Sequence, residues 1–218
     1  MSAAENLRIG VLGNIGVGKS TFIEACKTSP LRDILLDCFP DKHGDEEIYT
    51  FAEEFDPIVL DAFYKAPTQH AFTAQIEFLN GRLRRQHKIE QARGIVLEDR
   101  TIFEDYHIFG KAQKVLSHMS EAEFISYQNN YNLMTNRIDE PDLMVYLRAN
   151  TDTLINRIKK RGRDSEKEVP RDYLELLNGL YESFVRKHIK CPCLVIDSNN
   201  EVEMDTFLIN AAKQIADK

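Results

Sequence analysis

Several features that mark membrane and exported proteins are missing from this sequence. No run of apolar residues approaches the roughly 18 that are needed to cross a bilayer, so we expect no membrane span. The first five residues, Met-Ser-Ala-Ala-Glu, offer neither the apolar stretch of a signal peptide nor an arginine-rich transit pattern. We therefore expect a cytoplasmic protein that does not bind membranes.

Basic residues are outnumbered by acidic ones, and cysteines are few. The chain has 28 Lys and Arg against 35 Asp and Glu, which gives a net charge of −7 and disfavours binding to nucleic acid through a basic surface. Four cysteines in 218 residues predict no disulfide framework. Cys191 and Cys193 flank a proline, but the second half of a metal motif is missing, so we expect ordinary packing there.

The most informative stretch present is a P-loop, Gly-Asn-Ile-Gly-Val-Gly-Lys-Ser, which directly follows an apolar run from Leu7 to Leu12. Such a turn surrounds a phosphate with backbone N–H groups, and the next helix points its positive end at the same charge. Lys19 would reach the β- and γ-phosphates, and the Ser20 hydroxyl can hold Mg²⁺. We expect the following residues to bind ATP: Gly13, Asn14, Ile15, Gly16, Val17, Gly18, Lys19, Ser20 and Thr21.

The remaining pattern predicts an α/β fold. Strand-like segments lie at residues 7–12, 48–52, 95–97, 143–147 and 194–197, and the helical segments at residues 21–27, 69–92, 101–117, 121–137, 151–161, 170–187 and 204–215. Residues 29–47 show no regular pattern. This alternation predicts a five-stranded parallel sheet with helices on both faces. Without repeats or linkers, we expect one domain over residues 1–218.

The P-loop alone does not identify what receives the phosphoryl group. A GTPase needs a guanine-binding Asn-Lys-x-Asp motif, and the nearest candidate, residues 135–139, lacks the lysine. A motor or helicase normally carries larger modules. A kinase that acts on a hydroxyl needs a carboxylate to accept its proton, and Glu53 and Glu54 both stand at the end of the second predicted strand.

A kinase of this kind also needs a metal ligand and a cover over the reacting groups. Asp99 ends a buried strand and could hold Mg²⁺ together with Ser20. Arginines could close over the transferring phosphoryl group and exclude water. Arg157 and Arg161 are spaced to share a helix face, and Arg163 follows a glycine hinge, which predicts an arginine-rich lid at about residues 157–169.

Over nearly its whole length the sequence resembles the deoxyribonucleoside kinases, particularly the deoxyadenosine, deoxyguanosine and deoxycytidine kinase branch. The resemblance is carried by Tyr64-Lys65-x-Pro67 with Phe72-Thr73-x-Gln75, by Asp99-Arg100-Thr101, and by the lid stretch at 157–163. It implies the P-loop kinase fold, a homodimer, and Mg²⁺-dependent transfer of the γ-phosphoryl group of ATP. The acceptor would be the 5′-hydroxyl of a deoxynucleoside, in nucleotide salvage.

The resemblance also implies roles for individual residues. Glu53 would be the base that activates the 5′-hydroxyl, and Arg100 would position that hydroxyl or stabilise charge near it. Tyr64 and Glu166 match the family residues that bind the sugar 3′-hydroxyl. The nucleobase would be bound by Gln75, Arg82 and Asp105.

Two points of specificity and mechanism follow from the match and its departures. The thymidine-preferring branch has apolar or small residues in place of the pair Arg82 and Asp105, so the charged pair favours deoxyadenosine, deoxyguanosine or deoxycytidine. Similarity to bacterial members of the family favours a purine nucleoside.

The identity of the catalytic base is left open by a departure from the family pattern. The family usually has proline after its catalytic glutamate, whereas Glu53 is followed by Glu54, so either glutamate could be the base. A nucleoside monophosphate kinase and a catalytically inactive kinase-fold subunit are the alternative functions.

Overall fold

A five-stranded parallel sheet forms the centre of the computed structural model, which describes residues 6–38, 48–52, 54, 56–163 and 169–199. The strands are β1 (Asn6–Gly13), β2 (Ile48–Phe51), β3 (Gly94–Asp99), β4 (Leu143–Arg148) and β5 (Cys193–Asp197). Their order across the sheet is β2-β3-β1-β4-β5, and every neighbouring pair is parallel. The predicted five-stranded parallel sheet is confirmed, with the P-loop strand at its centre.

Helices connect these strands. They are α1 (Lys19–Ala25), α2 (Leu31–Cys38), α3 (Pro57–Lys65), α4 (Pro67–Gln91), α5 (Ile102–Glu104), α6 (Lys111–Val115), α7 (Glu121–Thr135), α8 (Thr151–Arg161) and α9 (Arg171–Lys187). A π-helical turn, Asp105–Gly110, joins α5 to α6. The helix expected at 204–215 lies outside the described residues. No helix in the described ranges is long and apolar enough to span a bilayer.

Two of these helices were not predicted from the sequence. In the stretch that showed no regular pattern, α2 forms and buries Leu31, Leu35 and Leu36 in the core. The helix α3 begins after Asp56, whose carboxylate accepts the backbone N–H of Ile58 at 2.8 Å. An aspartate followed by proline is a standard start signal for a helix, and it could have revealed α3.

Apolar side chains cover both faces of the sheet. Ile9 and Val11 of β1 pack on one face with apolar residues of α1, α2 and α8. Leu12 and Tyr146 lie on the opposite face with residues of α6, α9 and the π-helical turn. Helices therefore flank the sheet on both sides, as predicted. Since all strands run in the same direction, the P-loop and the ends of β2 and β3 meet at one edge, where open α/β sheets bind ligands.

Candidate active site

The P-loop connects the end of β1 to the start of α1. Gly13 and Gly18 have φ angles of 146° and 108°, which residues with a Cβ rarely adopt. A Cβ at Gly13 would lie 2.7 Å from the carbonyl oxygen of Leu147, whereas a Cβ at Gly18 would meet no atom within 4 Å. The loop is thus packed tightly against β4 at its first glycine and has open space at its last, where a phosphate can approach the backbone.

The side chains of the loop are held from two sides. Lys19 is 8% exposed, and its Nζ donates to the carbonyl oxygens of Gly13 at 3.1 Å and Asn14 at 3.4 Å. Asn14 Nδ2 donates to the carbonyl oxygen of Leu174 at 2.9 Å and to Oδ1 of Asn178 at 2.8 Å, both on α9. The helix α9 therefore fixes the loop, a contact that the sequence pattern did not reveal.

Ser20 and Asp99 come together at the strand edge. Ser20 Oγ donates to Oδ2 of Asp99 at 3.1 Å, while the other carboxylate oxygen, Oδ1, is buried with no hydrogen-bond partner in the described part of the chain. Hydroxyl and carboxylate oxygens are the ligands that Mg²⁺ prefers, so these two residues fit the metal. No cluster of three or more His, Cys, Asp or Glu that could hold a metal occurs among the described residues.

Arg100 follows β3 in a left-handed conformation, with a φ of 64°. Its Nη1 donates to the carbonyl oxygen of Gly13 at 3.2 Å and to the Tyr181 hydroxyl at 2.7 Å. Tyr181 in turn donates to Glu104 at 2.7 Å. Burial raises the pKa of the Glu104 carboxyl, and the nearby Arg100 opposes this change. The network fixes the Arg100 guanidinium against the start of the P-loop; sequence reasoning missed Tyr181 and Glu104.

A second group of buried polar side chains lies between α4 and the π-helical turn. Arg82 Nε is 3.3 Å from Oδ2 of Asp105, and both side chains are almost fully buried. Gln75 is 2% exposed on α4, and its Oε1 has no hydrogen-bond partner among the described residues. Leaving a buried acceptor unpaired costs about 1–3 kcal/mol, which is the expected state of a group that pairs with a ligand.

The hydroxyl of Tyr127 is also buried without a hydrogen-bond partner in the described ranges. Burial raises the pKa of Tyr127 well above its usual value, and the Asp105 carboxylate raises it further. Tyr127 therefore lies close enough to the Arg82–Asp105 pair for both charges to affect its pKa. Sequence reasoning could not single out Tyr127, because a tyrosine on a helix has the same pattern as an ordinary core residue.

Four further residues were predicted to act as the general base or to bind the sugar. Glu53 and Glu166 both lie outside the described residues. Glu54 Oε1 is 2.9 Å from Lys88 Nζ in an exposed ion pair, and the hydrogen bond from Lys88 lowers the pKa of the Glu54 carboxyl. Tyr64 lies in the last turn of α3 with 39% of its surface exposed.

The three lid arginines occupy different positions. Arg157 Nη1 donates to the carbonyl oxygen of Val17 in the P-loop at 2.9 Å, and its Nη2 donates to that of Ser198 at 2.7 Å. Arg157 thus ties the P-loop to the segment after β5. Arg161 ends α8 and Arg163 follows it, both exposed, on either side of Gly162, which has a φ of 68°.

A P-loop on the central strand of a 2-3-1-4-5 parallel sheet, beside a hydroxyl–carboxylate pair that fits Mg²⁺, defines a P-loop phosphotransferase. A profile of the deoxynucleoside kinase family matches residues 9–216, and the chain belongs to this family. It is an enzyme that phosphorylates deoxynucleosides with ATP as the phosphoryl donor. The predicted family, fold and enzyme class are confirmed.

Individual relatives agree with this assignment. The chain is 31% identical over 216 residues to the deoxyadenosine/deoxycytidine kinase of Bacillus subtilis (strain 168), covering 97% of this chain and 93% of that one. It is 33% identical over 184 residues to the deoxyadenosine kinase of Dictyostelium discoideum, covering 84% and 68%. A structure of M. mycoides deoxyadenosine kinase with bound dATP superposes with a TM-score of 0.74 at 27% identity, covering 97% of this chain and 100% of that one.

Proposed function

We propose that this kinase prefers deoxyadenosine or deoxyguanosine, with deoxycytidine as a third acceptor, and serves nucleotide salvage by phosphorylating their 5′-hydroxyl. The observation that favours these three acceptors over thymidine is the buried pair of Arg82 and Asp105. The preference for a purine rests on similarity to bacterial members of the family. A pocket built from buried polar groups discriminates against bases that cannot pair with them, because the groups would be left desolvated and unpaired. The names of the relatives support the same substrate class.

On the donor side, we propose that the P-loop and Lys19 bind the phosphates of ATP. Ser20 and Asp99 would hold Mg²⁺, which when bound neutralises charge on the donor phosphates. Arg100 would position the 5′-hydroxyl or stabilise charge near it; its contact with the Gly13 carbonyl supports this role, since it lies next to the loop.

As the general base that accepts the proton of the 5′-hydroxyl, we favour Glu53 over Glu54. Glu54 is held at the surface by Lys88, and this contact lowers the pKa of its carboxyl, so it is a poorer proton acceptor. Tyr64 and Glu166 would hold the sugar 3′-hydroxyl.

We propose a single domain whose lid, at about residues 157–169, closes over the reacting phosphoryl group. Arg161 and Arg163 would supply the closing charge, since both are exposed at the end of α8. Arg157 would act on the same site indirectly, because its guanidinium donates a hydrogen bond to the P-loop backbone at Val17.

A substrate panel tests the proposed function. The purified chain with ATP and Mg²⁺ is offered the four deoxynucleosides and, separately, deoxyadenosine monophosphate. We expect the highest kcat/KM with deoxyadenosine or deoxyguanosine, the lowest with thymidine, and no phosphorylation of the monophosphate. A preference for thymidine would refute the specificity proposal, and turnover of the monophosphate alone would identify a nucleoside monophosphate kinase instead.

The proposed metal site gives a separate prediction. Asp99→Asn removes a charged oxygen ligand, so the Mg²⁺ concentration needed for half-maximal activity should rise by at least about tenfold, the loss typical of removing even an outer-shell partner of a metal site. Activity measured against Mg²⁺ concentration checks this. Asp61→Asn, which removes an exposed carboxylate paired with Lys65, is the matched control and should leave the Mg²⁺ dependence unchanged. An unchanged curve for Asp99→Asn would rule out its role as a ligand.

We also propose a homodimer, as the family resemblance implies. In its support, Ile125 and Leu133 on α7 are 47% and 80% exposed, and apolar side chains of this kind are enriched in the interfaces of homodimers. Light scattering should give twice the chain mass of 25.2 kDa, and a monomer at micromolar concentration would contradict the proposal.

A cytoplasmic location is likewise a proposal. It is supported by the three cysteines with described side chains, Cys26, Cys191 and Cys193, which are all free thiols, as expected in a reducing compartment. Cell fractionation would test it, and recovery of the chain in a secreted fraction would contradict it.

A further inference from the structure

Arg85 is a fully buried arginine that none of the catalytic or binding roles above uses. It lies on α4, one turn after Arg82, and is only 2% exposed. Its Nη1 lies within hydrogen-bonding distance of three backbone carbonyl oxygens, those of Phe51 at 3.4 Å, Ala52 at 3.1 Å and Asp99 at 2.9 Å. Its Nη2 donates to the carbonyl oxygen of Arg100. One guanidinium therefore holds the ends of two strands.

These carbonyl groups need another partner because the ladder between β2 and β3 ends here. Its last pair is Phe51 and Glu98, so the carbonyl groups beyond it receive no hydrogen bond within that ladder, although β1 still pairs with β3 at Asp99. Buried backbone oxygens of this kind must find another donor. A guanidinium suits the task, since it presents several N–H groups in one rigid plane and keeps its charge at any physiological pH.

The strand ends that Arg85 joins are the ones that carry the chemistry. Ala52 directly precedes Glu53, and Asp99 and Arg100 are the proposed metal ligand and the arginine beside the P-loop. Arg100 has a φ of 64°, a conformation that costs a non-glycine residue roughly 1–2 kcal/mol and persists only where its surroundings hold it. The bond from Arg85 to the Arg100 carbonyl is one of the contacts that hold it.

The same helix contacts the β2 side at a second point. A Cβ at Gly81, one turn before Arg85, would lie 2.6 Å from the carbonyl oxygen of Glu54. The backbone after β2 thus rests directly on α4. Gly81 and Arg85 thus bring α4 into contact with the backbone carbonyl groups of Phe51, Ala52 and Glu54, and the same helix contacts those of Asp99 and Arg100.

We propose that Arg85 is a positioning residue for phosphoryl transfer, which fixes the end of β2, directly before Glu53, relative to the metal ligand and Arg100 at the end of β3. The inference rests on the proposed roles of Glu53, Asp99 and Arg100. No contact with substrate is assigned to Arg85. Its buried charge also lies beside the residue that precedes the proposed base, because Nη1 is 3.1 Å from the carbonyl oxygen of Ala52.

The test compares Arg85→Met and Arg85→Lys with the wild-type enzyme. We expect Arg85→Met to lower kcat by about 10²-fold, as a displacement of about 1 Å in reacting groups can do, while the KM values for ATP and deoxynucleoside stay close to wild type. Arg85→Lys keeps the charge but cannot reach all four carbonyls, so its kcat should fall in between. In Arg85→Met, the acid limb of the pH–kcat profile should move to higher pH, because a cation near the base is lost.

Two controls separate positioning from general destabilisation. Arg84→Met removes the neighbouring exposed arginine, which pairs with Glu77, and should leave kcat unchanged. Ile89→Ala opens a cavity on the same helix and should lower the melting temperature without shifting the pH profile. If Arg85→Met does not fold, Arg85→Lys carries the comparison, with hydrogen exchange at residues 99–101 as a second measure that should rise.

Wild-type kcat in both Arg85 variants would overturn the proposal. A loss of activity that Ile89→Ala reproduces at equal melting temperature, with the same pH profile, would also overturn it, since Arg85 would then be only a structural residue. Neither result would affect the substrate panel on the wild-type enzyme, which tests the proposed function independently.

Discussion

We expect Glu53→Gln to lower kcat by about 10²- to 10⁴-fold, because the amide cannot accept the proton that leaves the 5′-hydroxyl during attack on the γ-phosphate. The change keeps the size and shape of the side chain. Substrate binding should therefore be largely retained, and the loss should appear in kcat with little change in KM. Single-turnover measurements at saturating ATP and deoxynucleoside isolate the chemical step.

Glu54→Gln is the matched control for this prediction. Its carboxylate pairs with Lys88 at the surface, where loss of an ion pair has little effect on activity or stability. We therefore expect near wild-type turnover. If Glu54→Gln alone abolished activity, the base assignment would be reversed; if neither variant lost activity, general-base catalysis by this segment would have to be abandoned.

The second large effect concerns the buried pair in the proposed base pocket. Asp105→Ala leaves the Arg82 guanidinium buried without its carboxylate, and Arg82→Met does the converse. Breaking a buried pair in this way typically destabilises a protein by about 3–5 kcal/mol. Replacing both residues removes both charges, so the double variant should be more stable than the sum of the single changes implies. Urea unfolding of the four proteins measures this.

The double variant should also change specificity. Without the charged pair the pocket gains room and apolar surface for the thymine methyl group, so preference should move towards thymidine. The exposed pair Arg84 and Glu77 on the same helix is the control: Arg84→Met with Glu77→Ala should alter neither stability nor substrate ranking. An unchanged ranking in the Arg82→Met/Asp105→Ala enzyme would show that other residues select the base.

The sheet was predictable because its strands are short apolar runs, three of which end in glycine or aspartate. The P-loop was also predictable, because the backbone geometry of the loop requires its glycines. The helix α2 escaped prediction because its eight residues make barely two turns, which is too short for a helical period to be distinguished. Gln75 and Arg82 could be assigned to one face from spacing, and the structure buries both.

The supporting residues could not be predicted in this way. The segment of α4 around Arg82 contains three arginines. Their spacing places Arg85 on the same helix face as Arg82 and Arg84 on another, but it does not tell that the Arg85 guanidinium is fully buried against the strand ends. The left-handed backbone at Arg100 has no sequence signal either, because it depends on contacts from β1, α9 and α4 that form only in the folded chain. Such residues depend on tertiary packing.

The helix α4 carries Gln75, Arg82 and Arg85 within about 15 Å of its length. The residues proposed to bind the nucleobase and the arginine that contacts the ends of β2 and β3 therefore cannot move independently. A nucleoside analogue with a bulky base could be accommodated by pushing α4 outward, but the Arg85 guanidinium would then be drawn away from the strand ends. Such analogues should act as competitive inhibitors that occupy the acceptor site without being phosphorylated, which offers a route to selective ligands for this enzyme.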